Sequence, residues 1–276
     1  QVRNYLDFSD AYFDEDSYLA SVNVAHNLAS LYFRAFDEKF IEEIRSYAIN
    51  YFRKILSNLG WEPQKSDKHT DALLRTFTIS VLGKMNDDTV TDDAIRKYQK
   101  FLKSPSSLSP DLIETICSIA AWNGNSKTFA ELKKLYTNAK TMEEKLRFLG
   151  AMCGFQDKKL LVRTLNFSQT SEVRSQNMQL PIMKVAGNPY GEKVLWPWLK
   201  KNWKNINKKV GHGNPLFNRI VASIAGVADD SMENEIKLFF KNNPTPGTER
   251  TQSQTLERIR INSKFLRTMR KEFKNG

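Results

Sequence analysis

Apolar residues recur every three or four positions along nearly the whole chain, the spacing of one face of an α-helix. From Tyr18 the positions Leu19, Val22, Ala25, Ala29, Tyr32 and Phe33 keep that spacing, and the acidic, aromatic run 5–18 reads as the approach to this first helix. Asp37 and Glu38 open a second stripe through Ile41, Ile44, Ala48, Phe52, Ile55 and Leu59, which Gly60 ends as a helix-stopping glycine. Residues 71–85 repeat the unit with Leu74, Phe77, Val81 and Leu82, and Asn86-Asp87-Asp88 breaks it. A helix from Thr91 carries Ala94, Tyr98 and Phe101, and its Asp92 and Asp93 suit the positive end of a helix dipole. Pro110 stands in the first turn of a helix through Trp122, where its missing N–H needs no partner.

The pattern continues with short amphipathic helices over 127–136, 142–152, 158–165 and 171–185. Asn188-Pro189-Tyr190-Gly191 then opens a helix holding Trp196, Trp198 and Trp203, with Pro197 early enough to sit in its first turns or bend it. Helices over 215–225 and 230–240, a turn at 244–248 and a last helix over 251–273 complete the chain. Short connections and no convincing strand predict an all-α fold, with antiparallel helix pairs stacked in series as a superhelix. No strict repeat length is visible, so the units are degenerate. The Pro- and Ser-rich stretch 104–110 reads as a loop between helix pairs inside a single domain, residues 1–276, because both flanks have the same character.

Composition agrees. Only 12 Gly and 9 Pro in 276 residues are too few for a turn-rich β architecture, and 40% hydrophobic residues suffice for a core. The 42 Lys and Arg against 31 Asp and Glu leave a net charge of +11, densest at 200–209 and 258–274. Such a balance suits anionic partners. Interleaving with Glu and Asp makes most of it a solvated helical face. In Trp198-Leu199-Lys200-Lys201-Asn202-Trp203-Lys204 basic residues alternate with aromatics, as in nucleic-acid binders. Trp196 and Trp203 lie two helical turns apart on one face, so core anchors with lysines facing water is the preferred reading, and nucleic acid is not the expected partner.

Candidate chemistry is sparse. Cys117 and Cys153 sit in apolar surroundings and fit buried thiols of a reducing, cytoplasmic protein rather than a disulfide framework. No apolar run is long enough to span a bilayer, so no membrane partner is expected, and no signal peptide opens the chain. The chain starts at Gln1 rather than Met, which hints at a fragment or a processed product. His26, His69 and His212 show no metal-ligand spacing; His26, within an amphipathic helix, reads as a surface or boundary residue and His212, between two glycines, as a loop residue. Adjacent carboxylates such as Glu42-Glu43 and Glu143-Glu144 diverge by about 100° on a helix, which is surface spacing rather than acid–base pairing. No catalytic residue, no metal site and no cofactor on this chain are expected.

The order of several segments is more specific. Leu59-Gly60-Trp61-Glu62, Leu73-Leu74-Arg75 and Phe101-Leu102 are followed by Glu144-Lys145-Leu146-Arg147-Phe148-Leu149 and Leu160-Leu161. Then come 167–177, Val185-Ala186-Gly187-Asn188-Pro189-Tyr190-Gly191, the tryptophan helix, Phe239-Phe240 and Gln254-Thr255-Leu256-Glu257-Arg258-Ile259 with Asn262. Over residues 17–270 this order resembles the C-terminal domain of zinc aminopeptidases of the aminopeptidase N superfamily. The similarity is greatest to the puromycin-sensitive and endoplasmic-reticulum enzymes and the tricorn-interacting factors. The resemblance implies a HEAT- or armadillo-like bowl that caps the active site of an upstream catalytic domain and encloses a peptide cavity.

The resemblance also implies that Zn2+, the amino-terminus-binding motif and the catalytic tyrosine lie upstream. Ser231-Met232-Glu233-Asn234 echoes that family's Gly-x-Met-Glu-Asn motif, but Asp230 stands where the motif has its glycine, and the segment reads as a helix start with Asp and Ser available as caps. Basic residues of the inner wall would meet the peptide's terminal carboxylate. Arg75, Lys145 and Arg147 match family segments and are the candidates, with helix-surface or interhelical pairing as the other reading for each. A stand-alone basic helical-repeat adaptor for protein or nucleic acid is the alternative function.

Overall fold

The computed structural model describes residues 2–11, 18–211 and 214–274. It is all-α: fourteen α-helices with short 3-10 turns between them, and no strand among the described residues. The chain divides into two compact units, Gln1–Ala120 with Leu266–Gly276, and Ala121–Phe265.

The first unit holds α1 (Val2–Asp10), α2 (Tyr18–Arg34), α3 (Ile41–Leu59), α4 (His69–Lys84), α5 (Asp88–Lys103) and most of α6 (Ile113–Trp122). The first helix therefore starts in a segment the pattern left as an approach, with Val2 and Leu6 buried on its inner face. Helix α3 packs on both α2 and α4, and α4 on α5. His26 stacks on Phe77 at 4.2 Å and Lys84 lies 5.8 Å over Phe33, so α2 and α4 run side by side in one direction. Helix α5 begins three residues before the expected Thr91, because buried Asp87 accepts the Val90 N–H at 3.0 Å and caps it. The α4–α5 corner, with Asn86 in the left-handed region at φ 55°, is held from α3. Arg45 donates to the Met85 and Asn86 carbonyls, and Arg53 pairs with Asp87 at 2.6 Å.

The second unit holds α7 (Ser126–Asn138), α8 (Met142–Ala151), α9 (Lys158–Ser168), α10 (Gln179–Ala186), α11 (Glu192–Val210), α12 (Pro215–Ser223), α13 (Glu233–Asn242) and most of α14 (Glu249–Lys274). Alternate helices are neighbours, which makes two layers. In one, Arg163 lies 4.2 Å over Phe129 and Lys133 lies 4.8 Å over Phe167, joining α9 to α7. Trp198 Nε1 donates to Asn166 at 2.8 Å, joining α11 to α9, and Trp196 Nε1 donates to Glu235 at 3.0 Å, joining α13 to α11. In the other layer α10 packs on α8 and α12, and Thr251 of α14 donates to Asn218 of α12.

The three tryptophans are all buried, and Trp203 sits edge-on to Phe217, Phe239 and Phe240. They are core anchors, as their spacing predicts. The helix expected over 171–185 starts only at Gln179; residues Ser175–Asn177 form a 3-10 turn. Pro181 marks the true first turn. His212 lies outside the described residues.

The corner between α10 and α11 ties the second unit together. Asn188 is 7% exposed, and its amide Nδ2 donates to the Cys153 and Phe155 carbonyls, each at 2.9 Å, beyond the end of α8. Its Oδ1 accepts the Tyr190 N–H at 3.0 Å. A Cβ at Gly191 would stand 2.0 Å from the Val185 carbonyl oxygen, so only glycine lets the two backbones approach. The Asn188→Ala variant leaves two buried carbonyls without a donor and is expected to lower unfolding free energy by about 2–4 kcal/mol. Urea denaturation checks this; an unchanged midpoint would show that the corner is held by other contacts.

Candidate functional site

Among the described residues Arg75 and Asp87 are the buried charged side chains, Arg75 at 1% exposure. Its Nε donates to the Gly60 carbonyl at 3.0 Å and its Nη2 to the Leu59 carbonyl at 2.9 Å. The guanidinium therefore caps the C-terminus of α3, where Gly60 takes φ 66° and a cation meets the negative end of the dipole. Nη2 also pairs with Asp67 at 2.7 Å, while Nη1 has no partner. The Gln64 N–H, donated to the carboxylate at 2.8 Å, and Arg75 hold the Asp67 carboxyl below the usual carboxylate range against its desolvation.

Lys145 and Arg147 stand on α8, in the other unit, and both are partly exposed. Lys145 lies 5.4 Å over the Tyr136 ring, and Arg147 pairs with Glu143 at 2.6 Å on its own helix. Two positions apart on a helix, they point to different faces. Arg75 is thus a buried brace, and the two α8 cations are not brought together with each other.

An open cleft of about 690 Å3 lies within the second unit between the end of α12 and the middle of α14. Gln254, Glu257, Arg258 and Asn262 line one side, and Ala222, Ala225 and Gly226 the other. Asn262 donates to the Ala225 carbonyl at 3.2 Å, and Ile261 is left 55% exposed at the edge. These residues belong to the run 254–262 picked out from the sequence, whose buried members Thr255 and Ile259 hold α14 in place.

The echo of an amino-terminus-binding motif at 231–234 has a local explanation. Asp229, rather than Asp230, caps the 3-10 turn Asp230–Met232 through the Ser231 N–H. Glu233 receives both Arg260 and Lys237. Those two cations pull its carboxyl down to about 2. An acceptor so occupied is not presented to an incoming amine.

Zinc does not fit the residues seen here. His26 is stacked on Phe77, Cys117 and Cys153 are buried singly, and among the described residues no three His, Cys, Asp or Glu are grouped to hold an ion. Burial pushes the Cys117 thiol well up, which keeps it protonated and inert. No helix among the described residues is long and apolar enough to cross a membrane.

Short helices packed in series, braced by the Arg75 cap in the first unit and the Asn188 corner in the second, define an all-α class of protein. Residues 1–261 match the family described as the ERAP1-like C-terminal domain, and the chain belongs to that family. It is 29% identical over 264 residues to Aminopeptidase M1-D of Oryza sativa subsp. japonica, covering 94% of this chain and 30% of that protein. It is 27% identical over 241 residues to Aminopeptidase M1 of Arabidopsis thaliana, covering 86% of this chain and 27% of the relative. To the Saccharomyces cerevisiae protein named Aminopeptidase 2, mitochondrial, it is 23% identical over 269 residues, covering 95% and 28%. The chain spans under a third of the length of these curated relatives.

Two measurements check the local chemistry. Arg75→Lys loses the planar fork that reaches two carbonyls and a carboxylate, and is expected to destabilise the protein by about 1–3 kcal/mol; a variant of wild-type stability would contradict the brace. Glu233 is expected to titrate near pH 2 by NMR. Its folded value is depressed, so its stabilising pairs are complete above the usual Glu range and vanish as pH falls through about 2; a midpoint above 4 would show the pairs unformed in solution.

Proposed function

We propose that this chain is the non-catalytic C-terminal domain of a zinc-dependent aminopeptidase that removes N-terminal residues from peptides. The observation that carries the reading is the family match over residues 1–261, in a chain under a third as long as relatives named as aminopeptidases. On this reading residues 1–276 act as one superhelical, substrate-enclosing domain. It caps an active site carried by an upstream catalytic domain of the same polypeptide, and zinc is bound there. The domain's partner is the peptide held in the cavity. Lys145 and Arg147, which reach solvent from different faces of α8, are separate candidates for the peptide carboxylate, while Arg75 contributes by holding the α3 terminus. Two free buried cysteines are in keeping with work in the reducing cytoplasm.

The natural polypeptide that contains these residues is expected to hydrolyse an N-terminal aminoacyl reporter, to lose that activity to a chelator and to regain it with Zn2+. The purified 276-residue chain should add no activity of its own. Amidating the C-terminus of a peptide substrate should raise its KM severalfold, as expected for a lost charge-assisted contact of about 1 kcal/mol. Chelator-sensitive hydrolysis by the isolated chain would overturn the reading. So would a native polypeptide of about 31.9 kDa, the mass of this chain alone.

A further inference from the structure

The charge is segregated. The second unit holds 24 of the 42 Lys and Arg but 12 of the 31 Asp and Glu, so all of the net positive charge resides there and the first unit is close to neutral. Within the second unit the excess is again uneven. The layer α7, α9, α11 and α13 carries 14 Lys and Arg against 4 Asp and Glu.

Three of the lysines in that layer are paired, Lys133 with Glu172, Lys200 with Glu235 and Lys237 with Glu233. Lys209 is turned inward onto the Gln169 and Thr170 carbonyls. The others are exposed. Lys193, Lys201, Lys204 and Lys208 fall within about 80° of one another around α11, a single stripe. Among the described residues they make no hydrogen bond or ion pair. On the parallel neighbour α9, Lys159 and Arg163 are one turn apart and exposed, with Arg163 flat on Phe129. The Trp198–Asn166 bond joins the two helices, so their exposed cations belong to one lysine-rich layer, the plate.

The composition of the plate selects its ligand. Its tryptophans are buried, so it has no exposed aromatic platform on which bases could stack. Thirteen of its 14 cations are lysines, compact ammonium groups that bind carboxylates as point charges without needing a fixed fork geometry. Several spaced, unoccupied ammonium groups match several spaced carboxylates on a flexible chain.

We propose that this lysine plate is a specificity wall, which makes the parent enzyme prefer peptides with Asp or Glu beyond the residues being cleaved. The inference rests on the reading of the chain as an aminopeptidase domain, and deepens it by naming the substrate class. Each exposed pairing contributes a factor of about two, so three acidic side chains give about tenfold in kcat/KM, chiefly through KM. Screening at high ionic strength erases it.

The test uses the full natural polypeptide and nonapeptides with the same N-terminal residue and either three Glu or three Lys in their distal half. At low salt the Glu peptide is expected to be cleaved about tenfold more efficiently, and in 0.5 M salt the two should converge. Reversing the α11 stripe (Lys193→Glu, Lys201→Glu, Lys204→Glu, Lys208→Glu) should abolish or invert the preference. Replacing the same four by Arg should retain it. Hydrolysis of a single-residue aminoacyl reporter should be unchanged in both variants, which shows that they fold. Equal cleavage of the two peptides by the wild-type enzyme, or a preference that survives charge reversal, would overturn the proposal while leaving the aminopeptidase reading intact. Absence of any hydrolysis of the reporter by the parent polypeptide would overturn both.

Discussion

Buried amides and guanidiniums that satisfy carbonyls at helix ends are the constraint on which this molecule depends. A stack of short helices creates many termini, each with backbone groups lacking an intrahelical partner. Where such a terminus is buried, an unmatched carbonyl costs about 1–3 kcal/mol. Asn188 answers for two carbonyls after α8 and Arg75 for two at the end of α3. Apolar packing supplies the bulk of the driving force, but it is non-directional. The side-chain-to-carbonyl bridges fix which helix follows which at what angle.

The same logic explains why residues resembling a family's signature turn out to be architectural. Asn188, Gly191 and Arg75 fill a corner, a close backbone approach and a buried terminus, each of which admits few side chains. Chemistry toward a ligand is less constrained by the fold and sits on the surface, where α11 presents its lysines. The division of labour is visible within single helices: Trp196 and Lys200 on α11 both reach Glu235, whereas Lys201 and Lys204 face water.

Helix existence was legible in the sequence because the apolar period depends only on local geometry and burial. Helix starts were less so, since several Asp, Ser or Asn side chains can compete to cap. Asp87 caps a helix whose start was expected at Thr91, and Asp229 caps the turn where Asp230 and Ser231 were also available. The segment 171–178 is not α-helical, and Pro181 was the signal that could have placed the boundary. The candidate site was harder to read. Lys133 and Lys200 look no different in sequence from Lys193 or Lys204, yet the former have carboxylate partners from other elements. Pairing of that kind is decided by tertiary neighbours. Arg75 stood out by motif, and its burial, not its charge, accounts for that.

The carboxylate of Glu272, near the end of α14, accepts the backbone N–H groups of Val2 and Arg3 at 3.0 and 2.9 Å. Arg270 grips Glu38 through both oxygens, and Phe273 stacks on Phe40 at 4.4 Å. A ribosome therefore releases the first helices long before the residues that close their unit have been made. The later segment, all of it contiguous, can compact as it emerges, but the earlier one is completed only when the final turns of α14 arrive. For this chain, the order of synthesis and the order of completion run in opposite directions.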